Sequence, residues 1–330
     1  MVTYVAREIN STCKPELKDT VINLPSDKDI VDAMKRGFTR LDNEIVHESV
    51  ERVMKAQSKS LAAEILAPAL SGSCALLSFY DSRSQLLRVA CTGDSRAVLG
   101  RRGSNGNWTA TPLSIDQTGR NPDEVARLRR EHPGEDYVVA NGRILGALEP
   151  SRAFGDASYK WSAKVQEKIK NFYFGRSLSP RLRSPPYVTA EPVVTSTKIE
   201  PQNHDFVVMA TDGLWEMLTN EEVVGLVGHW LDEQAALNEK SGGQKAKSWL
   251  PSWLGGQKRL PAEHDGAANG GQQLPMRRQQ WGLKSAIDEQ FVIEDNNAAT
   301  HLVRNALGGK DTDQVCALLT LPSPYSRRYR

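Results

Sequence analysis

The sequence has almost no surplus of either charge. Its 330 residues include 42 Lys and Arg against 40 Asp and Glu, a formal net charge of +2. Such a chain projects no general field toward a polyanion, so nucleic-acid binding is not expected. No apolar run approaches the roughly 18 residues of a helical span, so no membrane span is expected either. The first residues, MVTYVAREINSTCK, lack the apolar core of a secretory signal and the acid-free, Arg- and Ser-rich look of an organellar leader, so no targeting sequence is read here. There are only four cysteines, Cys13, Cys74, Cys91 and Cys316, far apart and with no CxxC pair. That argues against a disulfide scaffold or a thiolate metal cluster and leaves free thiols in a reducing compartment as the expectation. GxxxxGK and GxSxG are both absent, which argues against a P-loop nucleotidase and an α/β-type serine hydrolase. His132, His204, His229 and His301 are scattered and read as core or surface residues.

What is present is material for a sizeable core. Hydrophobic residues make up 39% and charged residues 25%, enough for one large domain or two ordinary ones. SDKDIVDAMKRGFTRLDNEIV, from Ser26, predicts a helix. Ser26 and Asp29 fit a capping box, and Ile30, Met34, Phe38, Leu41 and Ile45 share one face. SGSCALLSFYD and QLLRVACTGDSRAVLGRRG predict strands over 74–80, 86–91 and 96–101, joined as an antiparallel meander. Asn121-Pro122 opens a short amphipathic helix running to His132. Strands are expected over 188–199 and at FVVM (206–209), and helices from Asn220 and over 295–309. Residues 160–186 read as a basic insert that ends in Ser-Pro-Pro. Residues 240–280, rich in Gly, Gln, Lys, Ser and Pro, read as a low-complexity loop insertion. WLPSWL inside it either packs back on its own domain or docks on a partner. There is no internal repeat. The order helix, strands, helix, strands, helix is not a βαβ alternation and points to an α+β layered domain.

Two strand ends look alike. LRVACTGDSRA places Asp94 after an apolar strand and a glycine, and FVVMATDGLWE places Asp212 in the same kind of position. If those strands are neighbours, two carboxylates converge at one end of a sheet. Close, uncompensated carboxylates repel, and a bound cation removes that cost. Hard divalent cations take oxygen ligands, and Glu216 stands four residues beyond Asp212. Taken singly, each acid reads first as a turn or cap residue.

The order of motifs goes further. SGSCALL, VACTGDSRAVL, ILGALEPSRAFGD, VTAEPVV and VVMATDGLWEML, in that order, resemble the metal-dependent protein phosphatases of the 2C type, over about residues 25–325. PPYVTAEP, the two inserts and DNNAATHLVRNALGG followed by SRRYR resemble the mitochondrial pyruvate dehydrogenase phosphatase branch in particular. The resemblance implies a single domain over 1–330, with two antiparallel β-sheets sandwiched between outer helices. It implies hydrolysis of phosphoserine and phosphothreonine by a metal-activated water, with two or three Mg2+ or Mn2+ ions. It makes Asp212 a metal ligand, with Asp94 and Glu216 as further metal acids. Gly213, Arg152 and Asp156 become supports of the site. A phosphoprotein partner, the pyruvate dehydrogenase complex, and a mitochondrial matrix location follow from the same resemblance.

The chain departs from that pattern in two places. No DGHxG-type motif precedes the helix at Ser26, and no DDITV-type segment follows SRRYR; an early phosphate-gripping arginine is missing as well. The expectation is a stretch cut at both ends of the site, with little or no turnover of its own. The alternative is a non-catalytic pseudophosphatase that binds a phosphoprotein or partner enzyme, with the basic insert and its Arg181 and Arg183 as docking surface.

Overall fold

Helix α1 (Asp27–Asn43) begins where the sequence predicts. The Ser26 hydroxyl accepts from the Asp29 backbone N–H, and the Asp29 carboxylate accepts from the Ser26 N–H at 2.9 Å. This reciprocal cap satisfies two donors that a helix start leaves open. The computed structural model describes residues 25–173, 175, 177–241, 262–264, 272 and 291–325. Residues 1–24, WLPSWL, nearly all of 240–280 and the SRRYR end lie outside these. The chain divides into two compact units, one of residues 1–96, 113–199 and 269–272, the other of 97–112, 200–268 and 273–330.

In the first unit α1 passes through one π-helical turn (Glu44–Glu48) into α2 (Ser49–Ala56), and α3 (Lys59–Leu70) follows. Strands β2 (Ala75–Asp81), β3 (Leu86–Thr92) and β9 (Val193–Lys198) form an antiparallel sheet in the order β2-β3-β9. The predicted apolar face of α1 lies on this sheet: Ile30, Met34 and Phe38 are buried with Ala90, and Ala75, Leu77, Phe79 and Val194 pack against them. Two residue pairs, β1 (Gly72–Ser73) with β8 (Phe154–Gly155) and β6 (Val139–Ala140) with β7 (Arg143–Ile144), make short ladders. Helices α4 (Pro122–Glu131) and α5 (Ala163–Phe172) complete the unit. The basic insert is therefore partly helical, because Ser162 caps α5 and Gln166 and Ile169 bury one face of it.

The second unit is built on a sheet of order β10-β4-β5-β11, with β4 at Arg96–Arg102, β5 at Trp108–Pro112, β10 at Phe206–Ala210 and β11 at Ala262–His264. β4 and β5 are antiparallel; β5 and β11 are parallel. After the short helix α6 (Asp212–Trp215), the long α7 (Asn220–Ser241) covers this sheet together with α8 (Ala298–Leu307), and α9 (Thr312–Thr320) closes the described chain. Val98, Trp108 and Ala110 are buried against Val223, Val224, Leu226 and Val227 of α7 and Leu302 and Ala306 of α8. Gly228 permits the close approach, since a Cβ there would stand 2.3 Å from Trp108 Nε1.

The architecture is α+β, as expected. The meander is not: β4 leaves the sheet of β2 and β3 and pairs with β5 and β10 in the other one. The reversal at Gly93-Asp94-Ser95 changes sheets, which a strand-by-strand reading cannot distinguish from a hairpin. β5 went unpredicted because polar NWTATP lacks a long apolar run. β9 starts only at Val193, since Pro192 before it has no N–H for the ladder.

One buried ion pair joins distant parts of the first unit. Lys160 Nζ lies 2.7 Å from both Asp42 carboxylate oxygens and from the Ala153 carbonyl, and the Gly155 N–H donates to Asp42 at 2.9 Å. Burial lowers the Lys160 pKa, and the Asp42 charge and hydrogen bonds oppose that. Replacing Asp42 by Ala strands a buried ammonium, so D42A should lower unfolding stability by about 3–5 kcal/mol. A shift in the urea midpoint worth less than ~1 kcal/mol would show the pair to be dispensable.

Candidate functional site

The Asp94 loop begins where β3 ends. Gly93 holds φ +105°, and a Cβ there would stand 2.2 Å from Cys74 Sγ and 3.1 Å from the Arg152 carbonyl, so only glycine fits. A buried glutamine clamps the loop. Gln117 Oε1 accepts from Gly93 N–H at 2.8 Å, its own N–H donates back to the Gly93 carbonyl at 3.0 Å, and Nε2 donates to the Cys91 carbonyl at 3.0 Å. The Asp94 carboxylate, half-buried, accepts from the Cys74 thiol at 3.1 Å. Burial, then the Asp94 charge, pushes that thiol well above its ordinary pKa, so it remains a protonated donor. Burial likewise pushes Cys91 up to about 12.

Arg152 is a brace. Its Nη2 lies 2.7 Å from Glu124 Oε1, its Nε 3.1 Å from both Glu124 oxygens, and its Nη1 donates to the Glu191 carbonyl at 2.7 Å. Glu124 also takes the Ser151 hydroxyl at 2.6 Å and Arg127 Nη2 at 2.8 Å. Burial raises the Glu124 pKa, but the hydrogen bonds and charges of Arg152 and Arg127 outweigh it and bring it down to about 2. Asp156 is left-handed at φ +45°; its N–H donates to the Ser71 carbonyl at 2.8 Å, and its carboxylate fills the space that a Cβ on Gly72 would need.

Asp212 opens α6 directly after β10. Its side chain is exposed and accepts from the Gly213 N–H at 2.9 Å, while its carbonyl accepts from the Glu216 N–H at 2.7 Å. Trp215, 2% exposed, anchors the turn in the core of the second unit, its indole N–H donating to the Ala210 carbonyl at 3.0 Å. A Cβ on Gly213 would meet nothing nearer than Thr211 Oγ1 at 3.8 Å, so space alone does not demand glycine there.

Asp212 and Glu216 thus share one turn of the second unit, whereas Asp94, Arg152 and Asp156 belong to the first. The condition set for two converging strand ends is not met in one sheet: β3 pairs with β2 and β9, and β10 with β4. Carboxylate oxygens are what a hard divalent cation takes. Yet no group of three or more His, Cys, Asp or Glu side chains arranged for a metal occurs among the described residues, which by themselves do not complete such a site. Sequence reasoning missed Glu124, Gln117 and Cys74. Each lies far in sequence from the motif it supports, and only Glu124, in the helix opened by Asn-Pro, carried any local signal.

A model of the family described as protein phosphatase 2C matches residues 4–244. The chain is 45% identical over 309 residues to a protein phosphatase 2C homolog of Schizosaccharomyces pombe, covering 93% of this chain and 61% of that protein. It is 43% identical over 342 residues to the mitochondrial pyruvate dehydrogenase (acetyl-transferring) phosphatase 1 of Saccharomyces cerevisiae, covering 100% of this chain and 56% of that protein. Identity to the protein of that name from Bos taurus is 35% over 330 residues, 96% of this chain and 55% of the other. The chain therefore spans under two thirds of the length of these relatives.

The Glu124 brace gives a pH dependence. Its pKa is about 2 against an ordinary 4.5, so its stabilising effect is complete above the ordinary value and lost as pH falls from 4.5 toward 2. Acid should cost the first unit about 3 kcal/mol through this group. In E124Q the acid-dependent loss across that window should shrink. An unchanged acid profile in a folded E124Q protein would remove Glu124 as the cause.

Proposed function

The chain belongs to the protein phosphatase 2C family, and on that premise we propose that it carries the core of a metal-dependent protein serine/threonine phosphatase. The observation that supports this most is the family match across 4–244, which contains GDSRAVL, SRAFGD and ATDGLWE together. In this reading Asp212, Asp94 and Glu216 are carboxylates that the chain contributes toward Mg2+ or Mn2+. Asp212 suits the role because it is exposed on a turn whose position Trp215 locks. Asp94 suits it because its loop is held by Gln117 and glycine geometry. Arg152, Asp156 and Gly213 are support: the first two tie the SRAFGD loop down, and the third offers its N–H to Asp212.

The proposed substrate is the phosphorylated pyruvate dehydrogenase complex, in mitochondria, because two of the relatives above carry that activity and location in their names. A second reading is a pseudophosphatase that binds the phosphoprotein without hydrolysing it. It draws on the absence of a three-ligand metal group among the described residues. In the basic insert, Lys160 is buried on Asp42, and Arg181 is tied to the Leu145 carbonyl at 2.9 Å and stacked on Tyr137 at 5.4 Å. Among the described residues of the insert, Lys164, Lys168, Lys170 and Arg183 are exposed cations left for docking.

The test is phosphate release from a phosphoserine peptide by the product of the full reading frame. Release should require Mn2+ or Mg2+, stop with chelator, and fall in D212N by more than the ~10–100-fold typical of an outer-shell partner. The same protein should restore activity to phosphorylated pyruvate dehydrogenase. A folded product that binds the peptide and releases nothing would favour the pseudophosphatase instead.

A further inference from the structure

The proline-rich turn after the basic insert is held by a polar network that neither the site nor the core accounts for. Ser184 is exposed, and its hydroxyl donates to Glu135 Oε1 at 2.5 Å. Glu135 Oε2 accepts from the Tyr187 hydroxyl at 2.8 Å. The Tyr187 oxygen in turn accepts the backbone N–H groups of Arg183 at 2.7 Å and Ser184 at 2.8 Å. His132 stacks on Tyr187, ring centroids 4.4 Å apart, and its Nδ1 stands 2.8 Å from Ser184 Oγ. With the hydroxyl proton committed to Glu135, Ser184 Oγ accepts, so His132 carries its hydrogen on Nδ1. Burial works against the Glu135 carboxylate, but the hydrogen bonds from Ser184 and Tyr187 outweigh it and hold its pKa below the usual range.

One hydroxyl thus joins a carboxylate and a buried histidine, and the same carboxylate takes the hydroxyl of a tyrosine that is 1% exposed. The sequence around it is Arg181-Leu182-Arg183-Ser184-Pro185, so this exposed serine has arginine three residues and one residue before it and proline directly after. Arg183 is exposed beside it. We infer that Ser184 is a phosphorylation site for a serine/threonine kinase that selects arginine N-terminal to its target, and that phosphorylation releases this turn from Glu135. In the transfer, Ser184 Oγ forms a bond to the γ-phosphorus of a nucleoside triphosphate. The γ-phosphorus–oxygen bond to the β-phosphate breaks with its electron pair leaving on the diphosphate, and the hydroxyl proton passes to the kinase's carboxylate base.

The consequence follows from charge. A phosphoserine carries about −1.5 to −2 at neutral pH and has no hydroxyl proton to give, so it faces the Glu135 carboxylate as a repelling anion, with Arg183 drawing it outward. The turn leads directly to Thr189, whose carbonyl accepts the Ala153 N–H at 3.0 Å and which bridges to Arg152, so its release reaches the brace of the SRAFGD loop. This inference does not depend on the phosphatase reading.

The test treats the purified chain with ATP, Mg2+ and the catalytic subunit of cyclic-AMP-dependent protein kinase as an arginine-selecting probe. Phosphopeptide mapping should find Ser184 as the main site and no label there in S184A. Hydrogen exchange at the Arg183 and Ser184 amides should quicken ~10- to 100-fold on phosphorylation, the scale of losing charge-assisted hydrogen bonds. S184A, which loses the bond and gains no charge, should quicken less, and phosphorylated E135Q should quicken less than the phosphorylated parent. Label on other serines with Ser184 bare, or a labelled Ser184 with unchanged exchange, would overturn the inference.

Discussion

Much of the first unit depends on one constraint: an ammonium placed where water cannot reach must have every N–H received by the protein. Lys160 meets it through Asp42 and the Ala153 carbonyl. Asp42 sits near the end of α1, Ala153 in the SRAFGD loop, and Lys160 at the entry to the basic insert. Three segments far apart in sequence are therefore fixed by one charge pair. An isolated buried pair seldom adds net stability over an apolar replacement, but its geometry is demanding, and it sets which segments meet. Gly155, donating to the same carboxylate, carries that placement into the short β1–β8 ladder.

The same logic recurs around the candidate acids. Asp94 is held by Gln117, by a glycine that nothing larger can replace, and by a thiol kept protonated by its surroundings. Arg152 is held by Glu124, which Arg152 and Arg127 keep ionised. Asp212 is fixed by a buried tryptophan three residues on. In each case the acid or its support is oriented by backbone and buried partners on its own unit.

The polar turn around Ser184 is a different kind of device. Its ties are few and exposed on one side, and one of them is a single hydroxyl proton given to Glu135, whereas the Lys160 and Glu124 networks are buried. A region stabilised in that way is the one that a change of charge can switch without unfolding the rest.

By itself the sequence determined the local features. The capping box at Ser26, the apolar face of α1, the Asn-Pro helix start and the strand over Phe206–Ala210 are set by neighbouring residues, and spacing reveals them. The motif order likewise identified the family, because those residues are contiguous. Tertiary structure alone decided which sheet β4 joins, since the turn at Gly93 reads the same whether the strand after it returns or leaves. It alone paired Asp42 with Lys160 across 118 positions and Arg152 with Glu124 across 28. It also made Trp215 an anchor and Cys74 a donor to Asp94. The reason is physical. Caps and faces depend on interactions within a turn or two, whereas a buried charge or donor is satisfied by whatever the fold brings to it, and that partner leaves no periodic trace in the chain.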